Sequence, residues 1–147
     1  MKLLIIVLSL FTTVLAKTGY ANETVITPVV LNNFQNSFAD ANNVSWSEVN
    51  GMYKAQFYVN KQFITGYYNV DGDLVAMIKN ISTSELPKSL QASLRNSIGQ
   101  FWITDLFEII NEDGKSYYIT LENADSQVVL KSESNKKWSV YKKGVKI

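Results

Sequence analysis

Apolar residues first recur at helical spacing. Val30 or Leu31, Phe34, Phe38 and Ala41 stand three or four apart, and Asn32, Asn33, Gln35, Asn36 and Asp40 fill the positions between them. That spacing predicts a helix with one apolar face. Thr27 supplies an N-cap, Pro28 suits the first helical position, and Asn42-Asn43 stops the helix. The period then changes to two. Strands are predicted over Val44 to Val49, Met52 to Val59, Phe63 to Val70 and Asp73 to Lys79, with turns at Asn50-Gly51, Asn60-Lys61 and Asp71-Gly72. Along the second strand, Tyr53, Ala55, Phe57 and Val59 share one face, and Lys54, Gln56 and Tyr58 share the other.

The same succession comes again. Leu86, Leu90, Leu94 and Ile98 form a second apolar stripe, with Ser84 as the best N-cap and Pro87 inside the first turn. Strands follow over Ile103 to Ile110, Lys115 to Glu122, Ser126 to Ser132 and Lys137 to Lys142, with Tyr117, Ile119 and Leu121 on one face. Leu94 and Trp102 each stand 56 residues after Phe38 and Trp46. The expected fold class is therefore α+β: tandem helix-plus-antiparallel-meander units, with two helices packed on one face of an antiparallel sheet. We expect one domain over residues 27–147, with two pseudo-repeats at about 27–81 and 82–147.

The N-terminus adds an address. Lys2 followed by the apolar run Leu3 to Leu15 reads as a signal peptide, too short to span a bilayer comfortably. Cleavage fits after Ala16, with Ala21 as the second candidate, and residues 17–26 form a flexible lead. The expected location is periplasmic or secreted, with no stable membrane insertion after cleavage. The chain has no cysteine, so no disulfide or lipid anchor supports it, and a hydrophobic core must hold the domain together.

Composition also removes chemistry. With no histidine and no cysteine, Ser-His-Asp and Cys-His nucleophile systems are excluded, and the usual zinc, copper and non-haem iron ligands are missing. Fourteen basic and 13 acidic residues give no general attraction to nucleic acid. We expect no cofactor, metal or catalytic residue. Asn69, Asp71 and Asp73 imitate the start of a calcium loop, but Gly72 is misplaced and no bidentate Glu follows, so a hairpin turn is the better reading. Asp105, Glu108, Glu112 and Asp113 are the candidates for a carboxylate pair; Asp105 and Glu108, three apart on a strand, face opposite ways. Lys136, Lys137, Lys142, Lys143 and Lys146 beside Trp138 and Tyr141 suit an anionic surface, or protect an edge strand from unwanted pairing.

The aromatic residues carry the remaining signal. Tyr53, Phe57 and Tyr117 fit the covered sheet face. Met52, Tyr58 and Tyr118 fall on the opposite face, and Tyr67 and Tyr141 are candidates to join them. Together these five form a Tyr-rich patch expected to be exposed on the open face, as interaction surfaces often are.

The run Phe34-x-x-x-Phe38-x-x-Ala41-x-x-Val44-x-Trp46, with Tyr53-x-Ala55-x-Phe57, Asp71-Gly72 and Leu86-Pro87, resembles the PepSY-like proteins, also called β-lactamase-inhibitor-protein-like, exported chiefly by bacteria of the Bacteroidetes type. The resemblance runs from about Leu31 to Tyr141 and is weaker in the second half, where Ser97 replaces the small Ala. It implies an exported α+β protein and carries no catalytic residues. Relatives include an inhibitor that lays a concave, aromatic-rich sheet on an enzyme, and PepSY domains proposed to restrain peptidases. By that analogy the leading expectation is a non-catalytic module that binds a protein partner, such as a peptidase or other hydrolase. A small-ligand carrier is the alternative, and a carboxylate-based hydrolase ranks last.

Overall fold

A computed structural model describes residues 24–133 and 136–145. The signal-peptide reading, and the lead up to residue 23, lie outside the described residues.

Eight strands form a single antiparallel sheet in simple sequence order: β1 (Asn42–Val49), β2 (Met52–Val59), β3 (Gln62–Tyr68), β4 (Leu74–Asn80), β5 (Trp102–Asn111), β6 (Gly114–Glu122), β7 (Ser126–Ser132) and β8 (Ser139–Val145). Two helices of ten residues each, α1 (Pro28–Ser37) and α2 (Lys88–Ser97), precede β1 and β5. The strand pairing puts Ala55, Phe57, Ile64, Met77, Leu106, Tyr117, Ile119 and Leu130 on one face. Both helices pack there. Val30 and Phe34 of α1 join Ala55, Phe57, Ile64 and Tyr68, while Leu90 and Leu94 of α2 join Leu106, Tyr117, Ile119, Leu121 and Leu130. The α+β class and the one-sided helical covering follow from the sequence as expected.

The first core is aromatic. Phe34 meets Phe57 edge-on with ring centroids 5.0 Å apart, Trp46 at 5.2 Å and Phe38 at 5.6 Å. Such tilted and T-shaped contacts place ring edges against ring faces. The second core is aliphatic, and Trp138 closes its edge by donating Nε1–H to the Leu90 carbonyl at 3.2 Å.

Three expectations need correction. Helix α1 stops at Ser37, and Phe38 is its C-cap with φ −136°. Asn42 and Asn43 therefore begin β1 rather than ending the helix, and Asn43 takes a left-handed φ of 53°, which Asn tolerates. Ser84 does not cap α2. It lies in a short 3-10 turn, Thr83–Glu85, and Pro87 holds the N-cap position, its carbonyl accepting from Leu90 and Gln91. Proline pushes the preceding Leu86 to an extended ψ of 150°, so the helix cannot start earlier. Finally, Trp46 and Trp102 do not match. Trp46 packs against α1, whereas Trp102 pairs with Glu122 on the other face and is half exposed. The register shift between Ile103 and Asp105 reverses the parity there.

Candidate functional site

The face opposite the helices, the far face, is built by strand alternation alone. Pairing runs Tyr58↔Phe63 across β2 and β3, Thr65↔Ile78 and Tyr67↔Ala76 across β3 and β4, Ile78↔Ile109 across β4 and β5, Phe107↔Tyr118 across β5 and β6, and Tyr118↔Lys131 across β6 and β7. Its centre is apolar: Tyr67, Ala76, Ile78, Phe107, Ile109, Tyr118 and Val129 cluster, with Val75 and Tyr141 against them.

Tyr118 is the hub. Its ring stacks on Phe107 at 5.3 Å with an interplanar angle of 9°, and Tyr141 meets it edge-on at 5.4 Å. The Lys131 ammonium sits 5.4 Å from the Tyr118 centroid and 5.9 Å from that of Tyr141, within cation–π range of both. Lys131 is also ion-paired with Glu133. Burial pushes the Tyr118 hydroxyl above its ordinary pKa, and the neighbouring Lys131 partly offsets that.

All five residues singled out from the sequence have a definite place here. Tyr118 and Tyr141 touch, and Tyr67 belongs to the same cluster. Tyr58 stands apart, 5.2 Å from Phe63 and 39% exposed. Met52 lies at the start of β2, paired with Val49 and half-buried. The expected openness holds at Tyr58, but Tyr67 and Tyr118 are each only 3% exposed. Their strand neighbours are themselves large, and Phe107, Ile109 and Tyr141 leave little of either ring bare. The accessible rim is thus Tyr58, Phe63, Trp102, Tyr141 and Lys142.

Phe107, Trp102, Phe63 and Lys131 are not among the site residues expected from the sequence. Phe107 had a signal: it lies on a predicted strand with parity opposite to Leu106, which faces the helices. Lys131 had none, because its role depends on pairing with Tyr118.

Asp105 also lies on the far face, opposite Thr120. Burial pushes its carboxyl above the usual range, although the Leu106 N–H opposes the shift. The Thr120 Oγ1 beside it is buried without a partner. Glu108 faces the helices instead, as the three-residue spacing requires. It accepts from the Tyr117 hydroxyl at 3.2 Å and pairs with Lys115 at 3.0 Å. Glu112 and Asp113 are exposed at the β5–β6 hairpin. Asn69 and Asp73 bond to each other across the β3–β4 turn, which also agrees with the hairpin reading of that segment. Among the described residues, no three acidic groups converge where a metal would bind.

Among the described residues, the clefts on the helix face include two that flank the helices. One, of about 570 Å³, lies between the end of α1 and the Ser82–Glu85 turn, floored by Ile64, Met77 and Lys79 and bridged by Gln62, which donates to the Glu85 carboxylate at 3.3 Å. The other, of about 290 Å³, lies beside α2 and is lined by Ser93, Phe101, Leu121, Val128, Leu130, Trp138 and Val140.

Solved structures share this architecture. A BLIP-like protein from Bacteroides fragilis superposes with a TM-score of 0.70 at 12% identity, covering 84% of this chain and 89% of its own. A protein from Bacteroides eggerthii, proposed to be periplasmic, gives 0.72 at 11% identity over 82% and 89%. A DUF2874 family protein from Bacteroides ovatus gives 0.70 at 18% identity over 82% and 88%. The fold is that of the BLIP-like proteins. No protein-family model and no curated protein sequence matches the chain.

Proposed function

We propose that this chain is an exported, non-catalytic protein-binding module that acts in the periplasm or after secretion, and that its far sheet face docks the partner. The single observation that carries the reading is the apolar rim left accessible around the buried aromatic strip of that face, where Tyr58 is 39% and Trp102 51% exposed and Tyr141 packs edge-on against Tyr118 at 5.4 Å. Aromatic anchors with a cation beside them are what interface centres are made of. The BLIP-like neighbours support the same class of function by analogy of fold. The proposed partner is a peptidase or other hydrolase, bound by Tyr58, Phe63, Tyr141 and Lys142 at the rim, with Met52, Tyr67 and Tyr118 supporting them. The two helix-plus-four-strand units, 27–81 and 82–147, are proposed to be pseudo-repeats of one domain. The non-catalytic reading is supported by Glu108, whose carboxylate is already engaged by Lys115 and Tyr117.

The test is affinity capture from a periplasmic extract with tagged residues 17–147. Tyr58→Ser with Tyr141→Ser should lose a discrete hydrolase that both wild type and Lys88→Ser, on the opposite side of the molecule, retain. Unchanged capture by the double variant would refute the assignment of this face.

A further inference from the structure

The cleft beside α2 has the chemistry of a small ligand site. Its floor is the second core: Leu121 and Leu130 are buried, while Val128, Phe101 and Trp138 are half-buried. Val140 at its mouth is 56% exposed, an apolar side chain left in water at the entrance to an apolar recess. Trp138 is held in place because its indole N–H is committed to the Leu90 carbonyl at 3.2 Å, so the ring forms a fixed wall.

The surroundings are cationic. Lys143 pairs with Val128 across β7 and β8 and so shares the face on which the cleft opens, whereas Lys142 pairs with Val129 and belongs to the far face. Lys136 and Lys137 lead into Trp138. Segments 88–101 and 136–145, on two sides of the cleft, carry no acidic residue, and Lys143 is the cation that strand pairing places on the cleft's own face. An apolar slot with a cation on its face suits a ligand with an apolar body and an opposite charge at its end.

We infer that this cleft binds a small aliphatic carboxylate, with the chain against Leu121, Val128, Leu130 and Trp138 and the carboxylate at Lys143. A methylene group takes up about as much room as a water molecule, about 30 Å³. A cleft of about 290 Å³, open on one side, therefore has room for a chain of at most roughly eight to ten carbons. The site lies on the helix side and does not depend on docking at the far face.

Octanoate and the neutral octan-1-ol are the probes, titrated into residues 17–147 and followed by calorimetry and by chemical shifts of the Trp138 indole and the Leu121, Val128 and Leu130 methyls. Octanoate should bind saturably below about 1 mM, the weak end for a ligand this small, and shift those signals. Lys143→Gln should weaken octanoate about fivefold, the worth of one exposed ion pair, and leave octan-1-ol unchanged. Val140→Glu, at a position 56% exposed, should also weaken octanoate selectively. Absence of saturable octanoate binding overturns the inference. So do equal affinities across wild type and both variants, or shifts confined to the far-face signals of Tyr118 and Tyr141.

Discussion

Lys115 reaches across from β6 to place its ammonium 3.0 Å from the Glu108 carboxylate, on the helix face between the two hydrophobic cores. Glu108 is largely buried, while Lys115 is half exposed. The asymmetry fixes what each partner does. Lys115 loses little by pairing, and the buried Glu108 carboxylate has Lys115 and the Tyr117 hydroxyl as its polar partners. Lys115→Met should cost about 1–2 kcal/mol, less than a fully buried pair because the lysine is solvated and Tyr117 remains. Adding Glu108→Gln should recover part of the loss. Urea unfolding of the three variants measures both values.

Alkaline pH should unfold the protein through its buried tyrosines. Burial pushes the Tyr68 hydroxyl up to about 12, and Tyr67, Tyr117 and Tyr118 are also raised chiefly by burial. Lys115 is raised by its hydrogen bond to Glu108. A raised folded pKa stabilises fully below the unfolded value, about 10 for Tyr and 10.4 for Lys, and that contribution disappears as pH climbs through the folded value. Stability should therefore be flat up to about pH 10 and fall steeply above it. Tyr68→Phe removes a buried hydroxyl that has no hydrogen-bond partner and should raise stability by about 1 kcal/mol. It should also move the alkaline transition upward, as followed by tyrosinate absorbance against circular dichroism.

Asp105 acts in the same direction as the tyrosines, beginning at lower pH. Its carboxyl is raised by burial, so the stabilisation from its protonated form is complete below the unfolded value, about 3.9, and is lost as pH rises through the folded one. Asp105→Asn should raise the melting temperature at neutral pH and leave it unchanged in strong acid. An equal shift at both pH values would mean that packing, not charge, is responsible.

Gly72 separates two effects that glycine serves. It sits at φ +92°, and a Cβ there would come within 2.7 Å of the Asn33 amide nitrogen, which donates to the Gly72 carbonyl at 2.9 Å. Gly72→Ala should cost about 2–3 kcal/mol, from left-handed strain together with the disturbed Asn33 bond. Gly51 has φ +76° with open space around it, and Gly51→Ala should cost only the strain, about 1 kcal/mol. Thermal unfolding of the pair distinguishes the contributions.

What the sequence revealed depended on whether a signal was local. Met52 to Val59 and Ser126 to Ser132 are strands with the bounds expected from alternation, and Asn50-Gly51 and Asp71-Gly72 are turns in which Asn50, Gly51 and Gly72 take positive φ. Bulges broke the reasoning. A register shift at Val129 and Leu130 displaces Tyr141, one at Tyr67 and Tyr68 makes room for Val75, and one at Ile103 and Asp105 turns Trp102 to the far face. An extra residue in a strand reverses every later side chain, and no residue type announces it. The candidate site was legible as far as parity reached, which placed Tyr58 and Tyr118 together on one face. The stacking of Phe107, the cation over two rings and the depth at which Tyr67 lies required the neighbouring strands.

The nearest-neighbour order of all eight strands bears on how the chain reaches this state. Six of the seven ladders close a loop of only a few residues, and the longer segment carrying α2 still returns to the strand beside the one it left. Loop closure of that kind costs little entropy, and rates rise as native contacts become more local. The sheet can grow hairpin by hairpin, faster than its strand content alone would suggest, with no cross-link to wait for.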